Sequence, residues 1–174
     1  MKNLLLTTLL FLSFAQAETF QCKVVGVTDG DTITCLTDQK EQIKVRLYQI
    51  DAPESGQAYG QKAKQALSDM IYNKTVKVEN MGLDRYKRTL GLIMAYKRIP
   101  CKSAPPDKPQ PFGCYYLMNI NFEMIKQGYA WYYPFTKKNA EYQQAEQEAK
   151  AAKRGLWADK HAVAPWEWRK EKKK

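Results

Sequence analysis

The sequence predicts a mainly β domain of the α+β class, in which five strands close a small barrel and three helices pack outside it. Three observations carry this prediction. Runs rich in β-branched residues recur at 20–27, 32–37, 42–50, 75–80 and 89–96. Apolar residues at helical spacing interrupt the runs once, between the third and fourth, and recur twice after the fifth. The roughly 157 residues beyond a short apolar leader are enough for one domain with its own core.

Residues 1–17, MKNLLLTTLLFLSFAQA, read as a secretory signal: one lysine, an apolar run from Leu4 to about Phe14, and Ala15-Gln16-Ala17 as a cleavage site. A membrane anchor needs about 20 apolar residues, and this run is shorter. The chain is therefore expected to be exported, secreted or periplasmic, with its domain at 18–159. Strands one and two flank Val27-Thr28-Asp29-Gly30-Asp31-Thr32, where Asp-Gly is a strong hairpin signal. Strand three runs into Asp51-Ala52-Pro53-Glu54, which reads as a turn. Ala63, Ala66, Leu67, Met70 and Ile71 predict a helix over 57–72. A second helix is expected over 118–127 with Gly128 as its cap, and a third over 140–154 with Gly155 as its stop. An OB-type barrel fits that order. Two segments stand outside it. Residues 100–114 are proline-rich and read as an inserted surface loop, and residues 160–174, ending WEWRKEKKK, read as a solvated, disordered basic tail.

Lys and Arg number 28 against 18 Asp and Glu, giving +10 overall. Such a surface attracts polyanions, and it also serves solubility. Export makes disulfides the expected state of Cys22, Cys35, Cys101 and Cys114, and the local pairs Cys22–Cys35 and Cys101–Cys114 fit the spacing best. Zinc is disfavoured, because no Cys-x-x-Cys is present and the lone histidine, His161, lies near the tail. One histidine so placed also argues against Ser-His-Asp and Cys-His catalysis.

The chemistry concentrates in a few charged residues on otherwise strand-like segments. Arg46, between Val45 and Leu47, must face solvent or find a partner. Arg88 follows Asp84-Arg85-Tyr86-Lys87 and opens another strand. Asp29, Asp31, Asp51 and Glu54 are hard oxygen ligands or bases, and the two arginines present planar forks suited to phosphate. Together they are the composition expected of a metal-assisted phosphodiesterase. Arg46 and Asp51 are five apart, so strict alternation sends them to opposite faces, and a bulge or turn must intervene before Asp51.

V-x-D-G-D-T, then R-x-x-x-x-D-x-P-E, then D-[KR]-Y-x-R-x-L, and an Ala/Glu/Lys-rich helix closing on Gly155-Leu156-Trp157, together resemble the staphylococcal nuclease family over roughly Phe20 to Trp157. The resemblance implies a five-stranded OB-fold barrel and Ca²⁺-dependent hydrolysis of DNA and RNA, single strands preferred, leaving 3′-phosphate ends. It implies Asp31, Asp51 and the backbone carbonyl of Ala52 as calcium ligands, with Asp29 supporting them. It further implies Glu54, Arg46 and Arg88 as catalytic residues, and Tyr86 and Lys87 beside the nucleotide. A non-catalytic barrel that binds single strands is the alternative, but it has no need of acids in a basic groove. A monomer is the default expectation.

Overall fold

The computed structural model describes residues 18–99 and 114–172. The expected signal segment and most of the proline-rich insert, including Cys101, lie outside them. The strands are β1 (Thr19–Val27), β2 (Thr32–Leu36), β3 (Gln42–Leu47), β4 (Ile50–Asp51), β5 (Thr75–Leu83), β6 (Thr89–Ile99), β7 (Cys114–Asn119) and β8 (Trp131–Tyr132). The helices are α1 (Gly60–Ile71), α2 (Ile120–Lys126), α3 (Ala140–Ala151) and α4 (Pro165–Glu171), with a 3-10 turn at Gly155–Ala158.

The main sheet runs β3-β2-β1-β5-β6-β7, and a parallel pairing of β3 with β6 closes its first five strands into the expected barrel. Strand alternation sends Val24, Ile33, Val45, Leu47, Val78 and Ile93 inward, each at most 1% exposed. Burying such a side chain contributes about 1.5–3 kcal/mol, so this inner layer is the main source of stability. Ala63, Leu67 and Ile71, spaced four apart, form the stripe of α1 that meets the core. Asn119 and Asn139 cap α2 and α3 by accepting from the amides of Phe122 and Tyr142. Gly128 and Gly155, the expected helix stops, both have left-handed backbones and lie against each other, where the Gly128 carbonyl accepts from the Leu156 amide.

Cys22 and Cys35, core-facing on β1 and β2, are joined as a disulfide. Cys114 is also disulfide-bonded.

Four features depart from the sequence reading. Strand three stops at Leu47 rather than Ile50, because Gln49 turns the chain with φ +63°. Its continuation, β4, leaves the barrel and pairs with β8. An additional strand, β7, extends β6, and the segment 114–119 carries too little alternation to announce it. The tail is not solvated throughout: residues 165–171 form α4, with Pro165 at the first turn, where its missing N–H costs nothing. The described residues thus hold four α-helices, one more than expected.

Candidate active site

The loop Thr28–Asp31 closes β1 onto β2, with the Thr28 amide donating to the Thr32 carbonyl at 2.8 Å. Asp29 stiffens it, since its Oδ1 accepts from the Asp31 amide at 3.0 Å. Gly30 is needed for space: a Cβ there would lie 2.6 Å from that of Ala63 and 2.7 Å from that of Ala52. The loop can therefore press against the β4 turn. Asp31 uses that closeness, its Oδ2 accepting from the Ala52 amide at 3.0 Å.

Register brings in the first arginine. Thr32 pairs with Arg46 across β2 and β3, so the guanidinium lies beside the Asp31 carboxylate. Arg46 Nη1 donates to Asp31 Oδ1 and Nη2 to Asp51 Oδ1, each at 2.8 Å. The Tyr48–Gln49 turn makes the second bond possible by reversing the side-chain direction between Leu47 and Asp51. Buried Asn121 of α2 holds that turn: its Nδ2 donates to the carbonyls of Tyr48 and Gly91, and its Oδ1 accepts from the Ile93 amide.

Asp31 is 3% exposed and Asp51 0%. Burial pushes the Asp31 carboxyl up from 3.8 to about 6, against the pull of Arg46 and with further help from Asp29. Burial likewise raises Asp51, although a hydrogen bond from Arg169 opposes it. Arg46 is partly buried, which favours its neutral form, but Asp31 and Asp51 outweigh this and hold it firmly cationic.

Arg88 stands at the mouth, just before β6. Its Nε donates to Asp84 Oδ2 at 2.7 Å, and its Nη1 faces Thr32 Oγ1 at 3.4 Å. Asp84 is partly desolvated, but hydrogen bonds from Arg88 and the Tyr86 amide dominate and hold its carboxyl low. Tyr86 is 64% exposed, with the guanidiniums of Arg85 and Arg88 over its ring at 4.8 and 5.6 Å. Lys87, with φ +60°, makes the tight turn between them.

A cleft of about 470 Å³ collects Asp29, Asp31, Arg46, Ala52, Glu54, Tyr86 and Arg88. Neither Lys87 nor Asp51 lines it, Asp51 being fully buried behind Arg46 and Arg169. His161 lies in a separate hollow beside Tyr59. Sequence reasoning missed five further residues of this region: Thr32, Asp84, Asn121, Tyr133 and Arg169. Tyr133 lines the cleft, while Trp131 packs on Trp157 with ring centroids 4.2 Å apart. Arg169 comes from α4. Its Nη2 donates to Asp51 Oδ2 at 2.6 Å, and its Nη1 to Glu54 Oε1 at 2.6 Å and Asp51 Oδ1 at 3.2 Å. The only signal for it was Pro165 followed by helix formers.

The two buried carboxylates are hard oxygen donors of the kind a divalent cation accepts, and guanidiniums occupy them here. Among the described residues no group of three or more His, Cys, Asp or Glu is disposed to hold a metal. A cation here would take two carboxylates and a backbone carbonyl from the protein, and water or substrate oxygen for the rest.

The model of the staphylococcal nuclease homologue family matches residues 44–159. An uncharacterized endonuclease of Haemophilus influenzae is 42% identical over 99% of this chain and 88% of its own. A protein named micrococcal nuclease, from Shigella flexneri, is 40% identical over 88% of this chain and 83% of its own. Protein ParB of Escherichia coli is 44% identical over 95% and 88% respectively.

Proposed function

The chain belongs to the staphylococcal nuclease family, an endonuclease fold acting on nucleic acids, and from that membership we propose Ca²⁺-dependent hydrolysis of DNA and RNA that leaves 3′-phosphate ends. The observation that carries this reading is the joining of buried Asp31 and Asp51 by one guanidinium beside the cleft that Arg88 also lines.

Asp31, Asp51 and the Ala52 carbonyl would hold the cation, with Asp29 fixing the Asp31 backbone. When bound, the divalent ion supplies positive charge that offsets the phosphodiester and polarises a phosphoryl oxygen. Glu54 orients the attacking water and accepts its proton as the new P–O bond forms. The P–O5′ bond opposite breaks, and the 5′ oxygen leaves and takes up a proton. Arg46 and Arg88 present donors to the phosphoryl oxygens as their charge grows. Each such preorganised donor contributes about 3 kcal/mol towards lowering the barrier.

Exposed Tyr86, together with Tyr133, which also lines the cleft, offers rings on which unpaired bases can stack, which supports a preference for single strands. A second cleft of about 650 Å³ shares Glu54, Tyr86, Tyr133 and Arg169 with the first and adds Trp168 and Lys172, a basic and aromatic continuation for the strand. The disulfide Cys22–Cys35 and the leader-like residues 1–17 support export. Among the described residues no helix is long and apolar enough to cross a membrane.

The test is incubation of the purified protein with end-labelled single-stranded DNA and RNA, in Ca²⁺ and in excess chelator. Cleavage only in Ca²⁺, with 3′-phosphate products, is expected. Intact substrate in Ca²⁺ would remove the proposal.

A further inference from the structure

Arg169 lies beyond the segment that the family model matches. We infer that it is a further active-site residue that competes with the divalent cation for Asp51 and with the attacking water for Glu54, making α4 a displaceable closure of the cleft. The inference rests on the metal-assisted reading above.

Asp51 has no uncommitted oxygen. Its Oδ1 accepts from Arg46 and Arg169, and its Oδ2 accepts from Arg169 Nη2 at 2.6 Å. The residue is 0% exposed, so a cation cannot approach from solvent past these donors. A divalent ion and a guanidinium on one carboxylate repel, and they do so more strongly where water is excluded. Glu54 is engaged by the same group, its Oε1 accepting from Arg169 Nη1 at 2.6 Å. One side chain thus occupies both the carboxylate that would bind the ion and the carboxylate that would receive the water's proton.

Of the two arginines on Asp51, only Arg169 can withdraw. Arg46 belongs to a barrel strand paired on both sides, with β2 and β6. Arg169 belongs to a seven-residue helix, joined to the 3-10 turn through residues 159–164, which form no helix or strand. Its side chain is 36% exposed, so water can receive the guanidinium when it leaves. What else fastens α4 is Trp166, edge-on to Trp131 at 5.7 Å, Phe135 at 5.8 Å and Tyr133 at 5.9 Å, buried Ala164 and Pro165 at its start, and Gln57 Nε2 donating to the Val163 carbonyl at 2.6 Å just before it. Gln57 Oε1 also accepts from the Glu54 amide, so the same glutamine links the Glu54 turn to the approach of α4.

The experiment is calorimetric titration of Ca²⁺ alone into the protein and its Arg169→Gln and Arg169→Lys variants. Arg169→Gln should bind Ca²⁺ about tenfold or more tightly than wild type, with Arg169→Lys between them. Equal or weaker binding in Arg169→Gln would overturn the competition. Absence of Ca²⁺ binding in all three would instead overturn the metal-site reading beneath it. A measurement on wild type guards against a variant that fails to fold: amide exchange over residues 165–171 should quicken when Ca²⁺ is added. Unchanged or slower exchange there would also overturn the inference.

Discussion

Arg46 and Asp51 meet at 2.8 Å although the strand alternation that buries Val45 and Leu47 would place them on opposite faces. The left-handed Gln49 reverses the chain between them, and the bridge exists because of that reversal. Arg46→Ala should therefore leave two buried carboxylates short of a partner and destabilise the protein by about 3 kcal/mol in chelator. Added Ca²⁺ should recover part of the loss. Urea unfolding with and without Ca²⁺ measures both, and a loss below about 1 kcal/mol would show that the bridge matters little.

Glu54 and Arg88 are only partly buried, so their removal should spare the fold. Glu54→Ala and Arg88→Ala should each lower turnover by about 10²-fold or more while the unfolding midpoint stays near wild type. Wild-type turnover in either would remove that residue from the proposed chemistry.

Asp31 gives the protein a pH dependence. Its carboxyl is pushed up to about 6 in the fold by burial, opposed by Arg46 and aided by Asp29. Below about pH 4 it is protonated whether folded or not, and the burial penalty is absent. Above pH 6 it is ionised in both states, and the penalty is present in full. Stability should thus fall on its account as pH rises from about 4 to 6, by on the order of 2–3 kcal/mol. Asp31→Asn abolishes this titration, so in chelator the variant should gain on wild type across that window. Parallel stability curves would contradict it.

Asn121, 0% exposed, makes three hydrogen bonds that hold the Tyr48–Gln49 turn against β6. Asn121→Ala should cost about 2–3 kcal/mol through the unpaired groups it leaves. Activity of the folded fraction should fall as well, because Asp51 follows the turn. A variant with wild-type stability would mean that the turn holds itself.

The barrel and the acids at its rim were legible because both rest on local patterns. Alternation marked the five strands to within a few residues at most ends, and Asp31, Asp51, Glu54, Arg46 and Arg88 stood out as charges beside apolar strands. Asp84, Asn121 and Arg169 were not legible. Asp84 looks like any turn aspartate until the structure pairs it with Arg88. Asn121 lies in a helix whose sequence does not say that one polar residue faces the core. Arg169 stands in a run of lysines and glutamates that has the composition of solvated chain, and only the docking of Trp166 brings it 118 residues back to Asp51.

Cys22 and Cys35 clamp the base of the hairpin whose tip bears Asp29 and Asp31, across a separation of 13 residues. A crosslink of that span withdraws roughly 3 kcal/mol of freedom from the unfolded chain. Where glutathione keeps thiols reduced, that contribution is lost. The same polypeptide is therefore a frailer nuclease in cytosol, where a cell's own genome and messages lie, than in an oxidising space beyond it.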